Sequence, residues 1–297
     1  MSDGYITDEA RGDNWRFLLG DSGERMTELA DESVHLTVCS PPFMGLYTYS
    51  DSIRDMGNAT DKYNFFEQYR YMIRENLRIT VPGGIACIHV QQVTTSKATH
   101  GYMSLQDFRG DVIRAFQDEG WLYFGEVTVW KDPQAQSIRT KSHALAFATK
   151  NRDSSGTRPA LADYLLIFKK KGERYAPIKN DVTNNEWIEW ASPIWMDIKE
   201  TNTLNAKIAR DDKDERHLTP LQLDFIERCV RLWSNPGETV FTPFGGVSSE
   251  LYVAVKHGRK AVGIELKPSY WRTGCEYLRE LEAEMAAPDL FDGLDAA

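Results

Sequence analysis

The sequence predicts an α/β protein in which one large sheet carries helices on both faces and a small irregular region is attached. Short apolar segments rich in β-branched residues alternate with amphipathic segments along most of the chain. The 297 residues are enough for one sizeable hydrophobic core. The composition is that of a globular protein, with 41% hydrophobic and 27% charged residues and no apolar run of membrane-spanning length.

The first half of the chain contains clear strand and helix signals. Pro82-Gly83-Gly84 separates a helical pattern from a buried strand. Ser104, with Asp107 three residues later, is expected to cap the next helix. The predicted strands and helices are strands at 15–20, 34–39, 85–90 and 121–130, and helices at 62–79 and 104–119.

In the second half, two polar stretches interrupt the pattern. Residues 131–163 are predicted to form a long loop, and 172–216 an irregular segment with three tryptophans. Thr219, followed by Pro220 and Gln222, is expected to cap a helix. The other predicted elements are strands at 163–171, 238–241 and 261–266, and helices at 219–233, 247–257 and 269–286.

Charge is distributed unevenly along the chain. The net charge is -9, yet residues 131–174 contain ten basic and four acidic residues, for a local charge of +6 against -15 in the rest. An acidic body with one basic stretch suits a protein that holds a polyanion at one place, although a solvated surface loop would have the same composition.

The four cysteines are far apart and form no CxxC pair, so we expect free thiols and no metal site. The polar, acidic N-terminus does not resemble a signal peptide. We therefore expect a cytoplasmic protein.

A first candidate site is the tetrapeptide Ser40-Pro41-Pro42-Phe43, which follows the strand 34–39. Ligands of open α/β sheets bind beyond the carboxyl ends of strands. The two prolines keep the backbone extended, so the Ser40 hydroxyl and the Pro41 carbonyl can both accept hydrogen bonds from one NH2 group. Phe43 offers a flat face for a base. The alternative is a rigid strand exit with Phe43 in the core.

A second candidate site joins the loop Thr242-Pro243-Phe244-Gly245-Gly246 to Glu265, which ends the next strand. A glycine loop before a helix lets the backbone approach a ligand, and an acid at that position suits ribose hydroxyls. Because the GxGxxG pattern is absent, a tight turn with an exposed acid is an equal alternative.

Taken together, these segments resemble the amino-methyltransferases of DNA, in the permuted (beta) group whose catalytic motif precedes the cofactor motif. The resemblance extends over nearly the whole chain. It is carried, in family order, by LLGDS, TVCSPPF, LRITVPGGIACIHV, EGWLYFGEVTVWKDP and HLTPLQLDFIERCVRLWSNPGETVFTPFGG with GIELKPSYW.

The resemblance implies a Rossmann-like methyltransferase sheet, S-adenosylmethionine as cofactor and double-stranded DNA as partner. Ser40, Pro41 and Phe43 would hold the target base, and Pro42 would shape their loop. The implied cofactor residues are Asp21 near the adenine amino group, Thr219 near the carboxylate, Thr242 and Pro243 in the loop, Phe244, Gly245 and Gly246 at the methionine end, and Glu265 at the ribose.

The chain departs from the family pattern at the cofactor loop. The family usually has an acid where this chain has Thr242, which puts in doubt a polar contact near the methionine amino group. Val247 and Ser248 also stand where a glycine is common.

The resemblance also suggests how the chain is divided. Residues 1–130 would form the catalytic half, 131–216 a target-recognition region with one core strand at 163–171, and 217–286 the cofactor half. Residues 287–297 would form a flexible tail. Lys131, Arg139, Lys141, Arg152 and Arg158 are the expected phosphate contacts.

The reaction implied is direct methyl transfer to an exocyclic amino group of a flipped base, with no cysteine nucleophile. Cytosine N4 is the preferred target, because within the family Ser at position 40 usually accompanies cytosine. The alternatives are adenine N6 methylation and a catalytically silent DNA-binding protein of the same fold, for which Thr242 is the argument. The sequence leaves open whether the chain is monomeric or a homodimer.

Overall fold

The central feature of the fold is a nine-stranded mixed sheet. The computed structural model describes residues 6–43, 56–59, 61–95, 97–140, 150–151, 153–179, 181–209 and 220–287. Its strands are β1 (Asp8–Arg11), β2 (Trp15–Leu19), β3 (Val34–Cys39), β4 (Thr80–Gln91), β5 (Val93–Thr94), β6 (Leu105–Gln106), β7 (Leu122–Val129), β8 (Asp163–Lys169), β9 (Ile194–Trp195), β10 (Thr239–Thr242) and β11 (Lys260–Glu265).

Helices lie on both faces of this sheet, as the alternating pattern predicts. They are α1 (Ser22–Arg25), α2 (Lys62–Ile79), α3 (Lys97–His100), α4 (Phe108–Asp118), α5 (Pro133–Thr140), α6 (Asn184–Trp190), α7 (Leu223–Trp233), α8 (Ser249–Lys256) and α9 (Pro268–Ala286). Of the helices in the described ranges, none is long and apolar enough to cross a membrane.

The strand order places a topological switch point at the centre of the sheet. The order is β1-β2-β11-β10-β3-β4-β8-β7-β9, and the five strands from β2 to β4 run parallel. From β3 the chain crosses by α2 to β4 on one side, whereas from β10 it crosses by α8 to β11 on the other. Because these connections diverge, a crevice opens between the carboxyl ends of β3 and β10, which is where such sheets bind ligands.

Each face of the sheet has its own core. On one face, α7, α8 and α9 bury Phe225, Leu251 and Leu278 against the strands. On the other, α2 and α4 bury Phe65 and Val112. Successive strand residues point to opposite faces, so Val240 and Thr242 of β10 face α8, whereas Phe241 enters the second core.

Several local predictions were wrong. Pro82-Gly83-Gly84 was expected to form a turn before the strand, but it lies within β4. Residues 131–163 were expected to be a loop, but they contain α5 and a short 3-10 helix at Ser154–Gly156. Ser104 was expected to cap the following helix, but its backbone pairs with Thr95 in the β5–β6 ladder. Asp107 caps α4 instead, accepting from the Gly110 N–H at 3.0 Å.

The segment 172–216 contributes more to the main core than its polar composition indicates. β9 belongs to this segment and pairs in parallel with β7. The predicted target-recognition region therefore contributes two strands to the sheet, β8 and β9, where one was expected. Trp195 is 1% exposed, donates its indole N–H to the Trp190 carbonyl at 3.1 Å and packs against Phe225. Trp187, in contrast, is 50% exposed. Two of the three tryptophans are therefore core residues.

The different burial of these tryptophans gives a stability test. Trp195→Ala is expected to cost about 3–5 kcal/mol of unfolding free energy, because it leaves a large cavity beside Phe225. Trp187→Ala, the matched exposed control, is expected to change it by less than about 0.5 kcal/mol. Urea unfolding of both variants checks this; equal effects would mean that β9 is not part of the cooperative core.

Candidate active site

The two loops singled out in the sequence meet at the switch point. β3 leads into Ser40–Phe43, and its neighbour β10 leads into the loop that starts at Thr242. Because the two strands are parallel and adjacent, both loops emerge at the same edge of the sheet. The structure thus brings the candidate base-binding and cofactor-binding segments side by side.

The Ser40 side chain is hydrogen-bonded to His89, a histidine that was not among the predicted site residues. In the β3–β4 register Cys39 lies opposite Ile88, so His89 reaches the level of Ser40. The Ser40 Oγ lies 3.0 Å from His89 Nδ1. The available signal was a single histidine within the otherwise apolar strand segment IACIHV.

His89 is in turn held by a buried carboxylate at the start of β8. His89 Nε2 lies 3.0 Å from Asp163 Oδ2, and the Gln91 side-chain amide donates to Asp163 Oδ1 at 2.8 Å. Lys131 Nζ also contacts Asp163 Oδ2, at 2.8 Å. Burial opposes ionisation here, but His89 and Lys131 outweigh it and hold the pKa of the Asp163 carboxyl below its usual value.

The role expected for Lys131 needs correction. It was predicted to contact DNA phosphate, but its side chain is buried and paired with Asp163. A lysine in this position neutralises a buried carboxylate and has no access to a polyanion outside the protein.

The network determines which way the Ser40 hydroxyl points. An ionised Asp163 only accepts hydrogen bonds, so the neutral tautomer of His89 that satisfies it carries its proton on Nε2. His89 Nδ1 is then an acceptor, and the Ser40 hydroxyl donates to it. The lone pairs of Ser40 Oγ remain to accept from another donor in the crevice, as an NH2 group requires.

The rest of the tetrapeptide surrounds this hydroxyl. Pro41 and Pro42 are buried, which supports a rigid strand exit. Phe43 is half-buried, with its ring centroid 6.2 Å from that of His89 and 5.9 Å from that of Phe108, edge-on. Its ring is anchored on one side by aromatic contacts and partly open on the other.

The glycine loop after β10 is shaped for close approach. A Cβ on Gly245 would lie 2.5 Å from the Phe17 ring, so the loop packs against β2. Gly246 has φ +51°, and a Cβ there would meet nothing within 4 Å. The open side at Gly246 is the kind of space into which a ligand fits beside a helix N-terminus.

Ser248 explains why a glycine is usual at this position. It has φ +74°, in the left-handed region that favours glycine. Its Oγ donates to the Gly274 carbonyl at 3.1 Å, and the residue is fully buried. Tertiary packing therefore holds a serine in a conformation that a glycine would adopt at lower cost.

Glu265 spans the glycine loop and the segment after β11. Its Oε2 accepts from the Gly246 N–H and its Oε1 from the Lys267 N–H, both at 2.7 Å. These two hydrogen bonds fix the carboxylate at the edge of the loop. Glu265 is therefore not the exposed acid of a simple tight turn, which was the alternative interpretation. Asp21 caps α1 beyond β2, accepting from the Glu24 N–H at 3.2 Å.

The other predicted cofactor residues fall in or near the same edge. Thr242 is buried, and its Oγ1 accepts weakly from the Phe244 N–H at 3.4 Å. The Pro243 carbonyl accepts from the Ser22 hydroxyl, which ties the loop to the exit of β2. Phe244 packs against the second core. Thr219 lies outside the described residues. The helix that was expected to begin there starts at Leu223 with Gln222 at its N-cap, so the predicted Thr219 cap was wrong.

The cysteine beside the motif is chemically inert, as expected. Burial, with a contribution from Glu250, raises the pKa of the Cys39 thiol well above its usual value. All four cysteines are buried free thiols. Within the described ranges, no group of three or more metal-ligating side chains is found.

Besides Lys131, two of the expected DNA contacts, Arg139 and Arg158, lie within the described residues. Arg158 is half-buried, and its Nη1 has no partner among the described residues. Arg139 lies at the end of α5. Lys141 and Arg152 lie outside the described residues.

Comparison with known proteins identifies the class of protein. The model of the N6/N4 DNA methylase family matches residues 34–276. The chain therefore belongs to this DNA methylase family, which confirms the resemblance inferred from the sequence. Membership in it implies S-adenosylmethionine as the methyl donor.

The individual proteins to which this chain is similar share a low sequence identity with it. The type II methyltransferase M.MjaI of Methanocaldococcus jannaschii is 27% identical over 290 residues, covering 86% of this chain and 88% of the relative. A DNA modification methylase of Thermus thermophilus, solved with S-adenosylmethionine, superposes with a TM-score of 0.67 at 23% identity, over 90% of this chain and 94% of that one. The cytosine-N4-specific PvuII DNA methyltransferase gives 0.65 at 16% identity, over 92% of each chain. These structures confirm the Rossmann-like fold.

The Ser40–His89 bond yields a test of the site. His89→Asn is expected to lower kcat for DNA methylation by about 100-fold, because Ser40 loses the acceptor that orients its hydroxyl. The KM for DNA and the Kd for S-adenosylmethionine should stay near wild-type values. The matched control is His257→Asn, which replaces another partly buried histidine near a carboxylate, at the far end of α8. A lower cofactor affinity with unchanged kcat in His89→Asn would contradict the assignment.

Proposed function

We propose that this DNA methylase transfers a methyl group from S-adenosylmethionine to the exocyclic amino group of a flipped base, and that the target is cytosine N4. The observation that carries the proposal is the Ser40–His89–Asp163 chain, which leaves Ser40 Oγ as an acceptor next to the glycine loop. A hydroxyl acceptor at this position is what the proposed target amino group needs.

The residues at the loop suit the cofactor. S-adenosylmethionine supplies an electrophilic methyl group on a sulfonium sulfur. Gly245 and Gly246 give backbone access at the methionine end, and Phe244 completes that wall. The fixed Glu265 carboxylate would accept from the ribose hydroxyls of the bound cofactor, and Asp21 would lie near its adenine amino group. Thr242, Pro243 and Thr219 complete the proposed set.

On the substrate side, Ser40 and Pro41 act on the target nitrogen. An exocyclic amino group is a poor nucleophile because its lone pair is delocalised into the ring. Hydrogen bonds from its two N–H groups to Ser40 Oγ and the Pro41 carbonyl favour a tetrahedral nitrogen, whose lone pair faces the methyl group. Stacking on Phe43, worth about 1–3 kcal/mol, offsets part of the cost of flipping the base.

The same network provides a route for the proton that the product nitrogen must lose. Ser40 Oγ accepts this proton while the hydroxyl proton passes to His89 Nδ1. The resulting imidazolium is stabilised by the adjacent Asp163 carboxylate. No charge is then left on the methylated base, and no covalent enzyme intermediate forms.

The product decides between cytosine and adenine. We expect N4-methylcytosine in DNA from cells that express the wild-type chain, and none from cells that express Ser40→Ala. Nucleoside mass spectrometry of that DNA is the measurement. N6-methyladenine without N4-methylcytosine would overturn the target base but leave the site residues and the cofactor in place. The absence of both methylated bases would favour the catalytically silent DNA-binding protein.

We also propose residues 131–216 as the target-recognition region, with Arg139, Lys141, Arg152 and Arg158 as phosphate contacts. β8 runs antiparallel to β4, so its first residue, Asp163, lies at the edge that carries the site. The region between β7 and β8 therefore begins and ends at that edge. Other basic residues of the stretch are engaged elsewhere: Lys170 pairs with Glu32 and Arg174 with Glu238.

The salt dependence of DNA binding tests this assignment. Neutralising the four phosphate contacts together is expected to reduce the slope of log K against log[salt] by about 3–4 units, since each contact contributes about 0.9. The control neutralises Lys169, the last residue of β8, and Lys171, two residues further on. Both lie at the opposite edge of the sheet from Asp163 and should leave the slope unchanged. Equal slopes in both variants and the wild type would place the DNA contact in another part of the chain.

A further inference from the structure

One buried acid at the cofactor edge is used by neither the fold nor the chemistry described above. Glu250, in the first turn of α8, is 5% exposed. Apart from its own backbone N–H, no group in the described ranges forms a hydrogen bond or an ion pair with its side chain. A buried carboxylate without a partner is costly, so such a group calls for an explanation.

The position of Glu250 points to the crevice. Side chains in a helix tilt toward its N-terminus, so Glu250 extends back toward the glycine loop that precedes α8. Its carboxylate acts electrostatically on Cys39 at the end of β3 and interacts with Glu265 at the end of β11. Because α8 packs on β10 and β11 and β10 lies between β3 and β11, we infer that the carboxylate is near the carboxyl end of β10, on the face to which Thr242 points.

No basic side chain among the described residues acts on the Glu250 carboxyl. Burial, and then the nearby Glu265, raises the pKa of Glu250 to about 8. The basic side chains of the neighbouring α7 are engaged elsewhere: Arg228 pairs with Asp197, and Arg231 with Glu186 at 2.7 Å. On the α9 side, Lys267 lies over the Tyr270 ring at 4.7 Å. Glu265 holds the loop backbone, which leaves Glu250 as the acid available to an incoming cation.

We propose that Glu250 binds the α-ammonium group of S-adenosylmethionine and supplies the negative charge that Thr242 cannot. The inference rests on the proposed cofactor site and adds to it the residue that recognises the amino-acid end. It also means that cofactor binding is linked to a proton. Glu250, largely protonated near neutral pH in the free protein, ionises when the ammonium group arrives.

Three ligands separate the ammonium contact from the rest of the site. S-adenosylmethionine and S-adenosylhomocysteine carry the ammonium group, whereas methylthioadenosine lacks the amino-acid end. Glu250→Gln, which keeps the size and removes the charge, is expected to weaken the first two at least tenfold and to leave methylthioadenosine unchanged. Glu265→Gln, the matched control, is expected to weaken all three, because they share the ribose.

Calorimetry in buffers of different ionisation enthalpy at pH 7 gives a second readout. The wild type is expected to release more protons per S-adenosylmethionine bound than Glu250→Gln, because the raised pKa of Glu250 falls when the ammonium group binds. Folding is checked by thermal melting. The folded pKa of Glu250 lies above the unfolded value of about 4.5, so this group lowers stability increasingly as the pH rises toward 8. Glu250→Gln should therefore be at least as stable as the wild type at pH 8.

The outcomes distinguish the role of Glu250 from the existence of the cofactor site. Equal affinities of wild type and Glu250→Gln for S-adenosylmethionine, or equal proton release, would overturn the role of Glu250 while leaving the cofactor site intact. A uniform loss for all three ligands in Glu250→Gln would also overturn it, since that pattern marks a structural effect. A wild-type chain that binds none of the three would refute the proposed cofactor site itself.

Discussion

The parallel pairing of β3 with β10 is the constraint on which the site depends. The two strands are distant in sequence, and their crossovers leave in opposite directions, through α2 and α8. Only this arrangement brings the loop that begins at Ser40 next to the loop that begins at Thr242. Each loop holds one half of the proposed site, so a change that separates the two strands is expected to abolish the proposed function even if every site residue is kept.

A second constraint is the buried chain of charges from Lys131 through Asp163 to His89. Replacing a buried ion pair with apolar residues is often neutral for stability, so stability alone does not account for this one. Its effect is to fix the histidine tautomer and hence the direction of the Ser40 hydroxyl. The lysine that composition assigned to DNA is thus part of the active-site support, which shows how local charge can mislead without topology.

The sequence predicted most of the fold, because strand and helix signals are local. The parallel strands read as apolar runs, and the glycine loop marked the boundary between β10 and α8. Helix α2 ends at Ile79 as predicted, but Pro82-Gly83-Gly84 lies inside β4 and is not a boundary. The features that could not be predicted depend on contacts between residues that are far apart in the sequence. The role of His89 requires the register of β4 against β3, and the burial of Trp195 requires that β9 join β7. Ser104 had a good capping pattern but was used by the β5–β6 ladder, so tertiary pairing prevailed over a local preference.

Three acids at one edge of the sheet show how environment, rather than residue type, assigns a role. Asp163 is flanked by Lys131 and His89, stays ionised and orients a hydroxyl. Glu265 receives two backbone N–H groups at the lip of the loop, which fixes its carboxylate for neutral hydroxyl donors. Glu250 is buried, and no basic side chain in the described part of the chain acts on it, so its pKa is raised and its carboxyl favours the protonated state until a positive charge binds. Because Glu250 is partly protonated when the cofactor is absent, its burial costs less free energy, and it can still ionise when the ammonium group binds. The loss of an acid at Thr242 is therefore compatible with a working cofactor site, because a carboxylate in the first turn of the following helix approaches the same edge of the sheet.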